Sequence, residues 1–299
     1  MSVHLYDFRW LDTQICEFSG IIDGLFARKK IKIGDKISLE VLSSEKKCVG
    51  YFFDKKWTKC PENNTGKNKC DFCRAQEKNF IYTVFDGFNT DNFSPEELEK
   101  IKVPHIVYLA LFDKDLIKIG VSIFERKILR QIEQGSYVTF FIAKTPDGIL
   151  ARQIETLIKK KGLSDKIKSA TKKNFLCPDI SFEESTNLLK KIFDTKKNIL
   201  DEHENLKKYL LKEPELCSWK KYYQTENLKK DHQSFEFVTL KKEEHVAGKI
   251  IAIKGSFLVI QTPDNLISIN TKDLLGHEIN FFDKPDGLKL NQAFQKALF

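Results

Sequence analysis

Residues 105–122 read HIVYLALFDKDLIKIGVS, and this stretch decides the fold of the middle of the chain. An apolar run of strand length ends at a polar turn over residues 113–115, and a second apolar run follows. Two such runs joined by a short polar turn predict a β-hairpin. Beyond it, helical spacing in FERKILRQI precedes a third apolar run, YVTFFIA, and then an amphipathic helix over about 149–161. The order strand, strand, helix, strand, helix predicts a small α/β unit built on an antiparallel hairpin.

The segments on either side complete a predicted α+β chain of four parts. Residues 1–93 combine strand-like runs with a cysteine-rich loop and predict an N-terminal β and zinc-binding module. Residues 94–180 hold the α/β core, which opens at Ser94 with the sequence of a helix capping box. Residues 181–233 carry apolar residues at helical spacing and predict a helical linker. Residues 234–299 hold short apolar runs broken by Gly and Pro, which predict a small β-barrel.

The composition of the 299 residues excludes several classes of protein. Hydrophobic residues make up 41% of the chain, so a wholly disordered chain is excluded. No stretch approaches the ~18 apolar residues that a membrane-spanning helix needs. Because the N-terminus also lacks the pattern of a secretory signal, we expect a cytoplasmic protein with no membrane partner. The net charge of +8 is compatible with an anionic partner but does not identify one.

Four of the seven cysteines, Cys48, Cys60, Cys70 and Cys73, stand as C-x11-C-x9-C-x2-C in a polar, lysine-rich segment. The short spacing of the last two lets one tight turn aim both sulfurs at the same ion. Four thiolates would close the tetrahedral shell of Zn²⁺, which predicts a structural site that supplies folding energy to a segment without a core. The alternatives are four independent thiols, a redox pair, or a site in which Cys16 replaces Cys48.

A second set of polar residues begins in the hairpin. Its members are Tyr108 and Gly120 on the two strands, Arg126 and Arg130 on the next helix, and Glu155 on the helix after that. A tyrosine can relay a proton, an arginine can hold phosphate oxygens, and a carboxylate can bind Mg²⁺. These groups could hydrolyse a phosphodiester if they meet in one cleft. Otherwise Tyr108 is a core residue and Glu155 a solvated one.

Between about residues 105 and 176, five segments occur in order: HIVYLA, IKIGVS, RQIEQGS, ARQIETLI and SDKIKSATKKNFL. In these segments the chain resembles domain-of-unknown-function family 2797. That family is a zinc-containing branch that resembles the GIY-YIG endonuclease superfamily. The resemblance implies a GIY-YIG-like core in which Tyr108 transfers a proton, Arg130 binds phosphate and Glu155 holds Mg²⁺. Lys118 stands where active nucleases of the superfamily usually have a tyrosine. It could act as the catalytic base only if burial lowered its pKa.

A basic segment surrounds the helix that carries Glu155. Residues 144–173 have a net charge of +6, as expected beside a site that handles phosphate. A solvated surface would have the same composition. The candidate nucleic-acid contacts are Arg126, Lys159, Lys160, Lys161, Lys172 and Lys173.

These residues leave three functional hypotheses. The first is a zinc-containing, nucleic-acid-acting protein that works as a Mg²⁺-dependent phosphodiesterase or endonuclease. The second keeps the fold but is a non-catalytic RNA- or DNA-binding protein with a degenerate GIY-YIG site. The third is a scaffold for protein partners in which the basic charge has no role. Mg²⁺-dependent cleavage, salt-dependent binding without cleavage, or neither would distinguish the three.

Overall fold

The structure is a computed structural model that describes residues 2–53, 56–77, 85–160, 162–164, 166–167, 176–226, 228, 235–281 and 287–290. Its strands are, in chain order, β1 (Ser2–Trp10), β2 (Ile15–Ile22), β3 (Leu25–Lys32), β4 (Lys36–Val41), β5 (Tyr51–Phe53), β6 (Lys56–Thr58), β7 (His105–Asp113), β8 (Leu116–Ile123), β9 (Val138–Thr145), β10 (Leu210–Ser218), β11 (Phe235–Val238), β12 (His245–Lys254), β13 (Phe257–Gln261), β14 (Leu266–Asn270), β15 (Glu278–Asn280) and β16 (Gly287–Lys289). Its α-helices are α1 (Asp71–Gln76), α2 (Pro95–Glu99), α3 (Lys127–Gln134), α4 (Gly148–Lys159), α5 (Phe182–Lys197), α6 (Glu204–Lys207), α7 (Lys220–Tyr223) and α8 (Thr271–Leu274).

The chain divides into two compact units, the first formed by Met1–Lys78 with Asn227–Phe299 and the second by Asn79–Glu226. Together they make a mixed α+β fold, as predicted. Within the described residues, no helix combines the length and the hydropathy needed to cross a bilayer.

The first unit is built on a ten-stranded sheet in which the strands from both ends of the chain pair with each other. Among the described residues its order is β11-β14-β13-β12-β4-β15-β1-β2-β3, and β16 pairs with β12. The N- and C-terminal strands meet where β4 pairs with β12 and where β15 lies between β1 and β4. The buried face of β4 shows why these residues form a strand, since Ile37, Leu39 and Val41 alternate with more exposed neighbours.

The prediction that residues 234–299 form a small β-barrel is wrong. In the part of the chain that the structure describes, these strands form no closed barrel and instead extend the N-terminal sheet. A pattern of short apolar runs shows that strands form, but it does not show which strand edge each one pairs with. The edge of β4 satisfies the backbone groups of β12 directly, so closure on itself is not needed.

The second unit contains a four-stranded antiparallel sheet with the order β10-β9-β7-β8. The predicted hairpin is present as β7 and β8, and Tyr108 lies directly opposite Gly120. Strand β10 lies inside the segment predicted to be helical, and that part of the prediction is wrong. Pro214 lies in a register shift between Leu210 and Glu215, where proline disfavours a helix and the edge of β9 offers backbone partners.

Helices cover both faces of this sheet. Val107, Leu109 and Leu111 of β7 belong to one hydrophobic core with side chains of α4 and α5. The intervening Tyr108 side chain points to the other face, because successive residues of a strand alternate between faces. The helix predicted to begin at Ser94 is confirmed as α2, with both hydrogen bonds of the capping box formed. Both faces of β7 are therefore packed, and its polar side chains are held in fixed environments.

Candidate functional site

The four clustered cysteines form a candidate metal centre in the first unit. Cys48 and Cys60 flank the β5–β6 hairpin, and Cys70 and Cys73 lie at the first turn of α1. All four are buried, and their sulfurs lie within 4.8 Å of one another. Tetrahedral ligands at ~2.3 Å from a zinc ion are about 3.8 Å apart. The Cys60 and Cys70 sulfurs are 3.8 Å apart, so the spacing fits one such ion.

Backbone amides support the sulfur cluster as they do in metal–thiolate sites. The Cys70 amide donates to Cys48 Sγ at 3.2 Å, and the Cys73 amide donates to Cys70 Sγ at 3.5 Å. Burial raises the pKa of the Cys70 and Cys73 thiols. Burial also acts on Cys60, but hydrogen bonds, first among them one from the Asn64 backbone, lower its pKa to about 7. Thiols whose pKa is raised by burial, as for Cys70 and Cys73, become thiolates at neutral pH only beside a cation, so the donor set fits a metal such as zinc.

The cluster contains the four cysteines predicted from their spacing. Cys16, the alternative ligand, lies outside the cluster: it is buried in β2, opposite Trp10 of β1 and Ile31 of β3. Among the described residues, Tyr51 is the hydrophobic side chain packed against the four cysteines. The module therefore has four potential metal ligands at a position where other small folds have an apolar core.

A partly buried ionic cluster fixes the end of α1 to the sheet of the same unit. Lys69 Nζ lies 2.6 Å from Glu77 Oε2 and donates to Tyr6 Oη at 2.8 Å. The Tyr6 hydroxyl in turn donates to Glu77. Burial, followed by the neighbouring Glu77 carboxylate, raises the pKa of Tyr6, so this phenol stays protonated. The cluster ties the cysteine module to β1.

Tyr108, the candidate proton-transfer residue, is enclosed in the second unit. It is 1% exposed and packs over Gly120, where an added Cβ would lie 2.5 Å from Tyr108 Oη. Gln134 Nε2 of α3 donates to this oxygen at 2.8 Å. Lys118 lies two residues before Gly120, so its side chain points to the same face of β8, and it is 8% exposed. The structure thus brings together a phenol and an amide, with a lysine on the same face of the sheet.

The candidate arginines lie on the surface near α3. Arg130 is exposed, and its carbonyl oxygen accepts a hydrogen bond from Gln134. Arg126 is exposed as well and lies 2.8 Å from Glu133 Oε1. Both side chains can reach an anion in solvent, whereas the Tyr108 hydroxyl cannot.

Glu155, the candidate Mg²⁺ ligand, lies on α4 with its own partner. Its side chain is buried, and Oε2 lies 2.5 Å from Arg152 Nη1. Helix α4 packs on the face of the sheet lined by Val107 and Leu109, whereas Tyr108 points to the opposite face. The structure therefore does not gather Tyr108 and Glu155 in one cleft. No described group of three potential metal ligands includes Glu155.

Arg152 is a site residue that the sequence reasoning missed. Its three-residue spacing from Glu155 on a helix was the available signal. Together with His105 and Ser122 it lines a cavity of about 40 Å³. The His105 Nδ1 lies 2.6 Å from the Val103 carbonyl oxygen, which makes Nδ1 the protonated nitrogen. Burial, followed by the charge of Arg152, lowers the pKa of His105, so the ring is neutral.

The candidate nucleic-acid contacts are only partly described. Lys159 and Lys160 end α4 and are exposed, and Lys160 Nζ lies 5.8 Å from the centre of the Phe88 ring. Lys161, Lys172 and Lys173 lie outside the described residues. Their contribution to a basic surface stays a prediction.

A second set of exposed groups lies on the cysteine module. Phe53 is 47% exposed and pairs directly with the exposed Lys56 across the β5–β6 hairpin. Phe72 of α1 is 41% exposed, with its ring 6.1 Å from that of Tyr51. Lys59 and Lys67 are exposed on the same module. Aromatic rings and lysines thus share its surface.

One comparison with known proteins gives a match. The family model described as "Protein of unknown function (DUF2797)" matches residues 34–279, which is most of the chain. No curated protein matches the chain. No solved structure matches it either.

Proposed function

The chain belongs to the DUF2797 family, and on this premise we propose that it is a zinc-containing protein that binds RNA or DNA without cleaving it. The observation that carries the proposal is the surface of the cysteine module, where Phe53 and Phe72 are exposed among lysines. Exposed aromatic rings can stack on unpaired bases, while ammonium groups neutralise phosphates. Such a surface binds nucleic acid with strong salt dependence and little sequence preference.

A metal in the cysteine cluster has a structural role in this proposal. Four sulfur ligands complete a tetrahedral shell and leave no position for water or substrate. The ion holds β5, β6 and α1 in place and thereby fixes the exposed rings. Zinc is the ion that best fits four buried sulfurs at this spacing.

The arrangement of the core favours binding over hydrolysis. Tyr108 is enclosed by Gly120 and Gln134, and Glu155 is paired with Arg152 on the other side of the sheet. A proton-transfer group must reach its substrate within hydrogen-bond distance. We therefore interpret the core as GIY-YIG-like, with a degenerate site.

Hydrolysis is the second candidate, and one observation favours it. Arg152 lines a cavity together with His105 and lies beside Glu155, so a phosphate-binding group, a neutral imidazole and a carboxylate are close in the fold. In this alternative the catalytic groups would be those of the cavity and not Tyr108. Mg²⁺-dependent cleavage that Glu155→Gln abolishes would establish it.

The binding proposal is tested by fluorescence anisotropy with single- and double-stranded RNA and DNA at several salt concentrations. The double variant Phe53→Ala/Phe72→Ala should lose about tenfold or more in affinity for single strands, because each lost stacking contact costs about 1–3 kcal/mol. The matched control is Phe182→Ala, since Phe182 is 46% exposed at the start of α5 in the other unit. Full affinity in the double variant, or no salt-dependent binding by the parent protein, would contradict the proposal.

A further inference from the structure

The lining of a cavity in the first unit includes none of the four clustered cysteines and none of the predicted site residues. It has a volume of about 190 Å³ and opens on one face of the sheet over β1, β2 and β3. Its apolar lining comes from Val3, Leu5, Phe18, Ile22, Ala27 and Phe281. An apolar cavity of about 150 Å³ is large enough to hold benzene, so a single flat aromatic ring fits this one.

The register of the strands explains why the cavity is open. Gly20 lies opposite Ala27 of β3. The Val3 side chain covers Gly20, since a Cβ added there would lie 2.4 Å from Val3 Cγ1, so the small side chain that borders the open space is that of Ala27. The rings of Phe18 and Phe281 form a wall beside this open space, with centroids 5.3 Å apart.

One lysine flanks the opening, and further cations follow the same sheet edge. Lys29 lies opposite Phe18 across β2 and β3, and its Nζ lies 5.4 Å from the centre of the Phe281 ring. The edge strand β3 also carries Arg28, Lys30 and Lys32, which are exposed and alternate to its other face, and it has no acidic residue. The buried carboxylate of Glu17 accepts ion pairs from Arg9 and Arg28. No ion pair with a carboxylate of the described residues involves the other three cations of β3.

We infer that this cavity holds one unpaired base of a single-stranded nucleic acid whose phosphates lie along β3. The inference rests on the proposed function and extends it to a defined base site. The apolar floor and two phenylalanine rings suit the faces of a base, and the cations of the edge strand suit the phosphates on either side of it. An aliphatic anion would use the charge but not the aromatic wall, so we favour the base.

The test compares two oligonucleotides of roughly eight nucleotides, one carrying thymine bases and one with the same backbone lacking bases. Anisotropy should show at least about tenfold tighter binding of the base-bearing strand. Ala27→Leu fills the cavity and should lower this ratio about tenfold, to the part contributed by Phe53 and Phe72, without changing the affinity for the abasic strand. Ala27→Ser keeps the cavity open and is the matched control, so its ratio should stay at the parent value.

A second variant keeps the test valid should Ala27→Leu fail to fold. Lys29 is exposed, so Lys29→Gln should leave folding intact while weakening the base-bearing complex and lowering its salt dependence by about one ion. A base preference that Ala27→Leu leaves at the parent value would overturn the base site and leave the proposed function standing. Absence of binding to any strand would overturn both. Binding of dodecanoate that Ala27→Leu blocks, with the base preference unchanged by the same variant, would assign the cavity to an aliphatic anion and overturn the inference.

Discussion

Replacing Cys73 with serine is expected to unfold the cysteine module. Cys73 is fully buried, and Tyr51 is the hydrophobic side chain that packs on the four-cysteine cluster. Because four sulfurs lie at the centre of the module, we expect a bound ion to supply most of the free energy that orders it. A structural zinc site provides roughly 10 kcal/mol or more of that energy at neutral pH. This is comparable to the total stability of an ordinary domain, about 5–15 kcal/mol.

Metal content and tryptophan fluorescence measure the effect together. The full chain should contain about one equivalent of zinc, and Cys73→Ser should retain less than half of it. Trp57 reports on the module, since its indole Nε1 donates to the Val49 carbonyl oxygen at 2.8 Å. Trp10 at the end of β1 and Trp219 after β10 are both 3% exposed and lie outside the cysteine module. Their emission should therefore change little. Loss of zinc should therefore shift emission to the red, and this shift should disappear in Trp57→Phe.

The matched control is Cys217→Ser, which changes a half-buried thiol in β10, outside the cluster. It should retain its zinc and the parent emission spectrum. A full equivalent of zinc in Cys73→Ser would refute the assignment of Cys73 as a ligand. Unchanged emission after complete removal of zinc would refute the conclusion that the ion supplies the folding energy.

Two further predictions concern the second unit. Gly120→Ala should lower the free energy of unfolding by about 1–3 kcal/mol, because the new Cβ would lie 2.5 Å from Tyr108 Oη. Urea denaturation should show that part of this loss is recovered in Tyr108→Leu/Gly120→Ala. Equal stability of Gly120→Ala and the parent protein would contradict the packing. Burial, followed by Arg152, lowers the pKa of His105, so the unfolded chain binds the extra proton and stability should fall as pH drops below about 6.5. His105→Gln should show a smaller loss between pH 7.5 and 5.5, and an identical pH dependence in both proteins would count against a buried neutral His105.

Local patterns predicted much of the fold because their physical cause is local. The hairpin follows from two apolar runs around a polar turn at residues 113–115, and the helix after Ser94 follows from its capping box. The four cysteines were identified from spacing alone, since a metal site constrains the positions of its ligands along the chain. The pairing of Glu155 with Arg152 was missed, although their spacing on one helix was visible.

Local sequence patterns were enough to locate the β7–β8 hairpin, the helices α2 and α4, and the four cysteines that can share an ion. Long-range contacts in the folded chain place the C-terminal strands in the N-terminal sheet and pair residues 210–218 with β9. They also put Tyr108 and Glu155 on opposite sides of one sheet. The physical reason is that periodicity and capping act between near neighbours in the chain, whereas strand partners and shared clefts depend on contacts between distant residues.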